Sequence, residues 1–265
     1  MATVARRMEE REPRIFERLG RTVVHEGELK RHSVYTRFLH WAYGIFFFLA
    51  LLSGFAIYLP FLFRWFAPIF GGPANTRALH PYFGIGFVLF FGLQAINWRN
   101  PMRWTDADRR WIKRLPQFIK NEEPVEPEDV GMYNGGQKIQ FWEIVAGSVV
   151  YLITGIIMWA GAGTFGATLV AVSYVLHDIS ALIMLFGIFI HVYISTIGQP
   201  GTARAMTRGT VTESWAWTHA PGWYRQVTGR DPRQALEQER QRHIARERAI
   251  EQLSRTSTPG VTRIS

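Results

Sequence analysis

The sequence has no cysteine among its 265 residues, and it has few charged side chains. Without cysteine, disulfides, thiolate-bound zinc, iron–sulfur clusters and the Cys-x-x-Cys-His attachment of haem are all excluded. Any iron–sulfur chemistry must therefore belong to a partner. Asp, Glu, Lys and Arg make up only 19% of the chain, compared with about 25% in typical soluble domains.

The scarce charges are segregated along the chain, and they leave long uncharged apolar segments between them. A helix of about 20 such residues, rising about 1.5 Å per residue, crosses the ~30 Å hydrocarbon core of a bilayer. This pattern excludes a soluble globular protein. The first apolar segment follows a charged leader and is long enough to span, so we expect a retained helix rather than a signal peptide. We predict an all-α membrane protein with a four-transmembrane-helix bundle, its spans at about 38–59, 80–98, 139–160 and 173–198.

Lysine and arginine are distributed unevenly between the two sides of this predicted bundle. Residues 1–37 carry nine, 98–138 eight and the region after residue 198 eleven, whereas 60–79 carries two and 161–172 none. Because Lys and Arg accumulate on the cytoplasmic side of membrane proteins, we predict a bacterial inner-membrane protein with both termini cytoplasmic. The net charge of +9 reflects this asymmetry and attraction to anionic lipid, so it requires no nucleic-acid partner.

The charged ends divide the chain into four predicted regions. These are a cytoplasmic leader at 1–37, the transmembrane domain at 38–198, an interfacial cytoplasmic segment at 199–230 and a charged, flexible tail at 231–265. Within the tail, 232–256 is dense enough in charge to predict either a solvated helix or no stable structure. The interfacial assignment rests on aromatic side chains, which favour the membrane surface, at Trp215, Trp217, Trp223 and Tyr224.

Histidines mark both ends of the predicted spans. A single intramembrane histidine is usually a hydrogen-bonded packing residue, but ionisable groups are rare in bilayers and indicate function by default. Four of the eight histidines lie inside or at the ends of the spans, at His40, His80, His177 and His191. The other four are expected to be solvated, and they are His25, His32, His219 and His243.

His177 and His191 lie 14 residues apart on the fourth span. On an α-helix this separation leaves them about 40° apart on one face and about 21 Å apart along the axis, so each lies near a different membrane surface. In the predicted topology His191 shares the cytoplasmic depth of His40, and His177 shares the outer depth of His80. Imidazoles that face each other across a helix bundle are what two b-type haems with bis-histidine ligation require.

A short motif repeats around the first two of these histidines. The segments 37–44 and 77–84 both read Arg-x-Leu-His-x-x-x-Gly, which places the arginine, the histidine and the glycine on one helix face. We predict that Arg37 and Arg77 bond haem propionates. The glycines would let a flat macrocycle approach the backbone, and Gly187 on the fourth span fits the same role. The alternatives are ordinary positive-inside arginines and helix-packing glycines, although Arg77 lies on the predicted outer side.

Several longer stretches, together with these histidines, carry a family resemblance. Over about residues 33–225 the chain resembles the gamma subunit, a cytochrome b, of membrane-bound, quinone-linked formate dehydrogenases. The leader and the charged tail after residue 230 depart from the compact family form. The matching stretches are Leu-His-Pro-Tyr-Phe-Gly at 79–84, Asp-Val-Gly-Met-Tyr-Asn-Gly-Gly-Gln-Lys at 129–138, Phe-Trp at 141–142, and Trp215, His219, Pro221, Trp223, Tyr224 and Arg225 in the tail.

The resemblance implies a complex of several subunits that serves anaerobic respiration. A molybdenum- or tungsten-containing alpha subunit would oxidise formate, and an iron–sulfur beta subunit would pass electrons to an outer haem held by His80 and His177. An inner haem held by His40 and His191 would then reduce a quinone, either menaquinone or ubiquinone. No catalytic residue is assigned to the isolated chain, which would act in an oxidoreductase only as the quinone-reducing subunit.

The resemblance also assigns the quinone pocket to Asn134, Gly136 and Gln137, beside His191. The carboxamides offer hydrogen bonds to a quinone carbonyl, and the glycines open the backbone. The local alternative is a turn and a helix cap before the third span. Glu143, one turn into that span, is either an interfacial group or a proton relay.

Two other interpretations are kept beside this one. A cytochrome b anchor of a hydrogenase or thiosulfate reductase would use the same pairs of haem ligands. A haem-free membrane anchor or small transporter belongs to a different class. Transporters usually show helices broken at the midplane or extended internal repeats, and neither is visible here.

Overall fold

The computed structural model describes residues 24–120 and 126–256. Most of the predicted leader, at 1–23, and the end of the predicted tail, at 257–265, lie outside the described residues. The described chain forms two short strands and a series of helices, which in chain order are β1 (Glu28–Lys30), α1 (Val34–Tyr58), α2 (Pro60–Phe66), α3 (Pro73–Trp98), α4 (Asp106–Ile119), α5 (Gly135–Ala160), α6 (Ala162–Phe165), α7 (Ala167–Tyr193), α8 (Arg204–Thr207), β2 (Thr210–Thr212), α9 (Glu213–His219), α10 (Pro221–Thr228) and α11 (Pro232–Thr256).

Four of these helices are long and apolar enough to cross a membrane. They are α1, α3, α5 and α7, the last of which continues through a π-helical turn to Gly198. Their large apolar side chains, such as Ile45, Leu89 and Phe186, are widely exposed on the outside of the bundle, as expected of surfaces that contact lipid. The predicted all-α bundle with four spans is therefore confirmed, and the chain is an integral membrane protein.

All four long helices begin earlier than the sequence predicts, and two of them begin earlier by a full turn and a half or more. Helix α3 starts at Pro73 rather than at His80, and α7 starts at Ala167 rather than at Ser173. Each is preceded by a glycine with positive φ, Gly72 at 102° and Gly166 at 80°, a conformation that L-residues rarely adopt. Hydropathy marks where a helix enters hydrocarbon, whereas these glycines and the backbone hydrogen bonds fix where the helix begins.

Aromatic side chains fill the centre of the bundle. Tyr43 and Phe47 on α1 meet Phe87 and Phe91 on α3, and Phe91 in turn lies 5.9 Å from Phe141 on α5, centroid to centroid. Helices α1 and α3 therefore pack antiparallel, and α5 joins them through the same cluster. This packing fixes which residues share a depth in the membrane.

A second, smaller core lies at one end of the bundle. Strand β1 pairs with β2 in an antiparallel ribbon, with Leu29 opposite Val211, and α9 and α10 pack beside it. The guanidinium of Arg31 lies 4.5 Å from the centre of a Trp215 ring, and Trp223 and Tyr224 are buried in the same core. We call this end of the bundle the ribbon end, and the opposite end, which carries α2 and α6, the distal end.

This second core corrects two expectations. Three of the tail aromatics that indicated a membrane surface, Trp215, Trp223 and Tyr224, instead form the interior of the core. His32 is also buried, and burial together with the Arg31 charge lowers the pKa of His219 to about 4, whereas both were expected to be solvated. The cause is the segment before α1, which folds back onto the tail and covers these groups.

Candidate haem and quinone sites

The structure brings the four predicted histidines together in two pairs. His40 on α1 and His191 on α7 meet near the ribbon end, with ring centroids 6.2 Å apart. His80 on α3 and His177 on α7 meet near the distal end, with ring centroids 6.3 Å apart. These are the pairings that the helical spacing predicts.

Both separations suit two imidazoles on opposite sides of one metal ion. With metal–nitrogen bonds of about 2 Å, the centroids of two axial imidazoles lie about 6 Å apart. A Cβ added at Gly44 or at Gly84 would contact no protein atom within 4 Å, so the backbone beside His40 and His80 is open to a planar group. The residues present therefore fit a haem at each pair.

Hydroxyl groups orient both imidazoles of the distal pair. His80 Nδ1 lies 2.9 Å from Ser53 Oγ, and His177 Nδ1 lies 2.8 Å from Thr154 Oγ1. Each hydroxyl already donates its single proton to a carbonyl one turn back, Ser53 to Leu49 and Thr154 to Val150. Each hydroxyl must therefore accept from an Nδ1–H, which leaves the Nε2 lone pair of the histidine for a metal.

The pair near the ribbon end has a different environment. The His40 ring lies between Trp41 and Tyr43, 5.3 and 5.2 Å away, and its buried Nδ1 has no hydrogen-bond partner among the described residues. His32 is buried nearby, stacked on Tyr133 at 6.1 Å. Burial is the main reason why the pKa of His32 lies well below its usual range. The neighbouring Arg31, His40 and Arg37 lower this pKa further, so His32 is neutral.

The two arginines predicted to bond propionates differ from each other. Arg37 donates from Nη1 to the carbonyl of Thr207, 2.9 Å away, while its buried Nε has no partner among the described residues. Arg37 thus anchors the segment after α7 and retains one donor. Arg77 is exposed at the distal end.

Gly187 does not have the role that the sequence suggested for it. A Cβ at this position would overlap the carboxylate oxygens of Glu143, which reaches across from α5. The missing side chain therefore makes room for a carboxylate rather than for the face of a macrocycle.

The residues predicted to line the quinone pocket form the start of α5. Asn134 Oδ1 accepts from the backbone N–H of Gln137 at 3.0 Å, and Gln137 Oε1 accepts from that of Asn134 at 3.1 Å. This reciprocal capping box is the local alternative that the sequence left open. Gly136 lies against the ring of Trp111, which a Cβ would approach to 2.9 Å. The cap uses only the Oε1 atom of Gln137, so the N–H groups on Nε2 can donate to another acceptor.

Buried ionisable side chains connect this cap with α4. The Asn134 amide donates to Glu126 at 2.7 Å, and the Trp111 indole donates to the same carboxyl group. Burial raises the pKa of Glu126 to about 7, although both hydrogen bonds act in the opposite direction. Lys138 and Asp108 form a buried ion pair at 2.6 Å beside them.

Comparison with known proteins agrees with the histidine geometry. A profile of the prokaryotic cytochrome b561 family matches residues 31–209, more than half of the chain. The chain belongs to this family. A cytochrome b family implies haem b as the cofactor, so the predicted cofactor type is confirmed, and the matched residues include all four paired histidines.

Named relatives lie within the formate dehydrogenases. The chain is 35% identical over 197 residues to the cytochrome b556 subunit of the nitrate-inducible formate dehydrogenase of Escherichia coli, covering 72% of this chain and 88% of that one. It is 36% identical over 200 residues to the formate dehydrogenase cytochrome b556 subunit of Haemophilus influenzae, covering 74% and 82%. A second E. coli subunit of this kind is 32% identical, covering 74% and 92%. The resemblance seen in the sequence is confirmed.

Ser53 and Thr154 were not predicted from the sequence as parts of the site. A signal was present, because Ser53 follows His40 by 13 residues and therefore lies close to the depth of His80 in an antiparallel helix pair. Polar residues at the depth of a ligand, on a neighbouring span, are candidates for orienting it.

Proposed function

We propose that this chain is the dihaem cytochrome b subunit of a membrane-bound formate dehydrogenase, which anchors the complex and carries electrons across the membrane to quinone. The two histidine pairs, 6.2 and 6.3 Å apart at opposite ends of one bundle, carry this proposal. The assignment to formate dehydrogenase is supported by relatives of 32–36% identity, and the alignment with this chain covers at least 82% of the length of each relative. Haem b, when bound at each pair, supplies one-electron transfer.

Each pair has its own task in this proposal. His80 and His177 would hold the haem that receives electrons, and their Nε2 atoms are available for iron because the Ser53 and Thr154 hydroxyls hold the other ring nitrogens. His40 and His191 would hold the haem from which electrons leave for quinone. Because His177 and His191 share α7, about 21 Å apart along its axis, one helix positions a ligand of both haems.

The orientation and the partners follow from charge and family. Lys and Arg are concentrated in the segments that meet at the ribbon end, so this end faces the cytoplasm of a bacterial inner membrane. The distal end would receive an iron–sulfur subunit, which in turn receives electrons from a catalytic subunit containing molybdenum or tungsten. An external partner is required for this chemistry, because the chain has no cysteine to hold a cluster.

A quinone, menaquinone or ubiquinone, would bind at the ribbon end beside His191. Within the block predicted from sequence, the Gln137 amide N–H groups have no acceptor among the described residues, while the Asn134 amide donates to Glu126. Gln137 is therefore the stronger candidate for a direct bond to a quinone carbonyl. Asn134 and Gly136 would then shape the pocket through the cap and through the contact with Trp111.

Spectra of membranes that contain the native complex test the proposal. Formate should reduce two b-type components, and acidified solvent should extract two haems per chain, since no cysteine can attach them covalently. Mass spectrometry of the co-purified complex should identify an iron–sulfur subunit and a molybdenum or tungsten subunit. Membranes from a strain lacking this chain are the control and should show neither component.

The alternatives give different results in the same experiment. Reduction by hydrogen but not by formate would identify a hydrogenase anchor, and oxidation of the reduced components by thiosulfate would identify a thiosulfate reductase anchor. A ratio of one haem per chain, or of none, would contradict the two-pair assignment.

A further inference from the structure

A carboxylate lies inside the bundle, close to the histidine pair of the ribbon end. Glu143 is the ninth residue of α5, well inside a helix that crosses the membrane. Its Oε2 accepts from the Gln140 amide at 2.9 Å, and its buried Oε1 has no hydrogen-bond donor among the described residues. Ionisable groups at such positions are costly and mark functional sites.

The contacts between α5 and α7 fix the depth of this carboxylate. Thr154 bonds His177, and Glu143 lies against Gly187, so the two helices run antiparallel. Residues of α5 and α7 at the same depth therefore have residue numbers that add up to about 330. Gln140 therefore lies level with His191, and Glu143 lies about 4.5 Å deeper. Gly187 is one turn before His191 on the same helix, so the carboxylate reaches the face of α7 that carries this ligand.

The fit between Glu143 and Gly187 is specific to this pair. Any side chain at position 187 would overlap the carboxylate oxygens, so glycine is required there for Glu143 to point at α7. Tyr151 on α5 interacts electrostatically with Glu143, and His191 follows the contacted Gly187 by one turn on α7. Helix α3, which also packs against α5, carries the uncharged carboxamide of Gln94 near this depth.

We propose that Glu143 takes up one proton when an electron arrives at the His40–His191 site. The iron–porphyrin core of an oxidised bis-histidine haem b would carry one positive charge, which a nearby carboxylate would stabilise. The electron removes that charge, and the carboxylate then lies uncompensated in a medium of low dielectric constant, where binding a proton from the ribbon-end side neutralises it. One electron and one proton enter together, and the carboxylate becomes a carboxylic acid. This proposal rests on the proposed haem site, and it makes Glu143 a proton-binding residue rather than a catalytic one.

Redox titration of the two components tests this proposal without formate. Electrode-poised membranes containing the complex are titrated between about pH 6 and about pH 8, and the ribbon-end component is the one that His191→Ala removes. Its midpoint potential should fall as the pH rises, by up to about 59 mV for each tenfold fall in proton concentration. Glu143→Gln should abolish this dependence and leave the distal component unchanged, whereas Glu143→Asp should restore it.

Controls and a second measurement make the test decisive. Glu128→Gln, the same substitution at an exposed ion pair with Arg233, should keep the wild-type dependence. Infrared difference spectra should show a protonated-carboxyl band on reduction of the wild type, and Glu143→Gln should lack it. A pH dependence that persists in Glu143→Gln, or no such band in the wild type, would overturn the proposal. Fewer than two components in the wild type would instead overturn the proposed dihaem function.

Discussion

The two histidine pairs have nearly the same separation and opposite surroundings. At the distal end both Nδ1 atoms are held by hydroxyls on neighbouring helices, Ser53 and Thr154. At the ribbon end, His40 Nδ1 has no such partner among the described residues, and its ring packs against Trp41 and Tyr43. The distal pair is thus oriented by hydrogen bonds, whereas His40 is oriented by aromatic packing.

The ionisable groups differ in the same way. The ribbon end carries the buried Arg31, His32 and Glu126 and the buried pair of Lys138 and Asp108, and no comparable set of buried ionisable groups occurs in the described part of the distal end. A site that only passes electrons needs rigid ligands, whereas a site that also handles protons needs ionisable groups nearby. The contrast therefore supports electron entry at the distal end and quinone chemistry at the ribbon end.

Loss of a histidine ligand should have the largest effect, and it should affect one haem component at a time. We expect His80→Ala and His177→Ala to remove one spectroscopic haem component, and His40→Ala and His191→Ala to remove the other, because each haem needs both axial imidazoles. His243→Ala, at an exposed position, should remove neither. Loss of the same component in His80→Ala and His191→Ala would show that the pairing is wrong.

Removal of an orienting hydroxyl should weaken the distal site alone. Thr154→Val keeps the shape of the side chain but removes the acceptor for His177 Nδ1–H, and loss of such an outer partner typically lowers metal affinity by about 10- to 100-fold. We expect the distal haem to be lost faster to added apomyoglobin, and the midpoint potential of the distal component to shift. Ser148→Ala on the same helix is the matched control, because within the described ranges the Ser148 hydroxyl bonds only the carbonyl of Ile144. Equal behaviour of the two variants would contradict the orienting role of Thr154.

Much of this contrast could be predicted from sequence, and part of it could not. The 14-residue spacing of His177 and His191 and the order of the spans were enough to pair the ligands, because helix geometry is regular. The contact of Glu143 with Gly187 depends on how far α5 slides along α7, which side-chain packing decides. Trp215 and Trp223 misled the prediction, because aromatic side chains suit both a membrane surface and a buried core.

Changes to the α5 cap should act on quinone turnover at the ribbon end and leave both haems bound. We expect Gln137→Leu to slow formate-driven quinone reduction by about 10- to 100-fold, since a lost hydrogen bond to developing charge costs about 1.5–3 kcal/mol. Asn134→Leu should also slow it, because it removes the cap that positions Gln137. Both components should still be reduced by formate.

Gln137→Glu separates quinone binding from helix capping. Glutamate at this position keeps the capping box, yet its charge opposes the negative charge that builds on the quinone. Turnover should therefore also fall in this variant. Normal turnover in both leucine variants would show that the block serves only as a helix cap, and the pocket would then lie elsewhere around His191.

The smallest effect should be a pH-dependent stability confined to the ribbon end. Burial raises the pKa of Glu126 from 4.5 to about 7, so the folded protein binds the proton more tightly than the unfolded chain does. The cost of burying the charged carboxylate is absent below about pH 4.5, grows as the pH rises, and is complete above about pH 7, where it reaches about 3 kcal/mol. The temperature at which heating abolishes the ribbon-end haem spectrum should therefore be a few degrees lower at about pH 8 than at about pH 5.5.

Glu126→Gln should remove this difference, whatever its effect on absolute stability, because glutamine cannot ionise. Exposed Glu128→Gln should leave the difference unchanged, and so should Thr154→Val, which alters only the distal site. A difference that survives in Glu126→Gln would mean that a group other than Glu126 sets the pH dependence of the ribbon end.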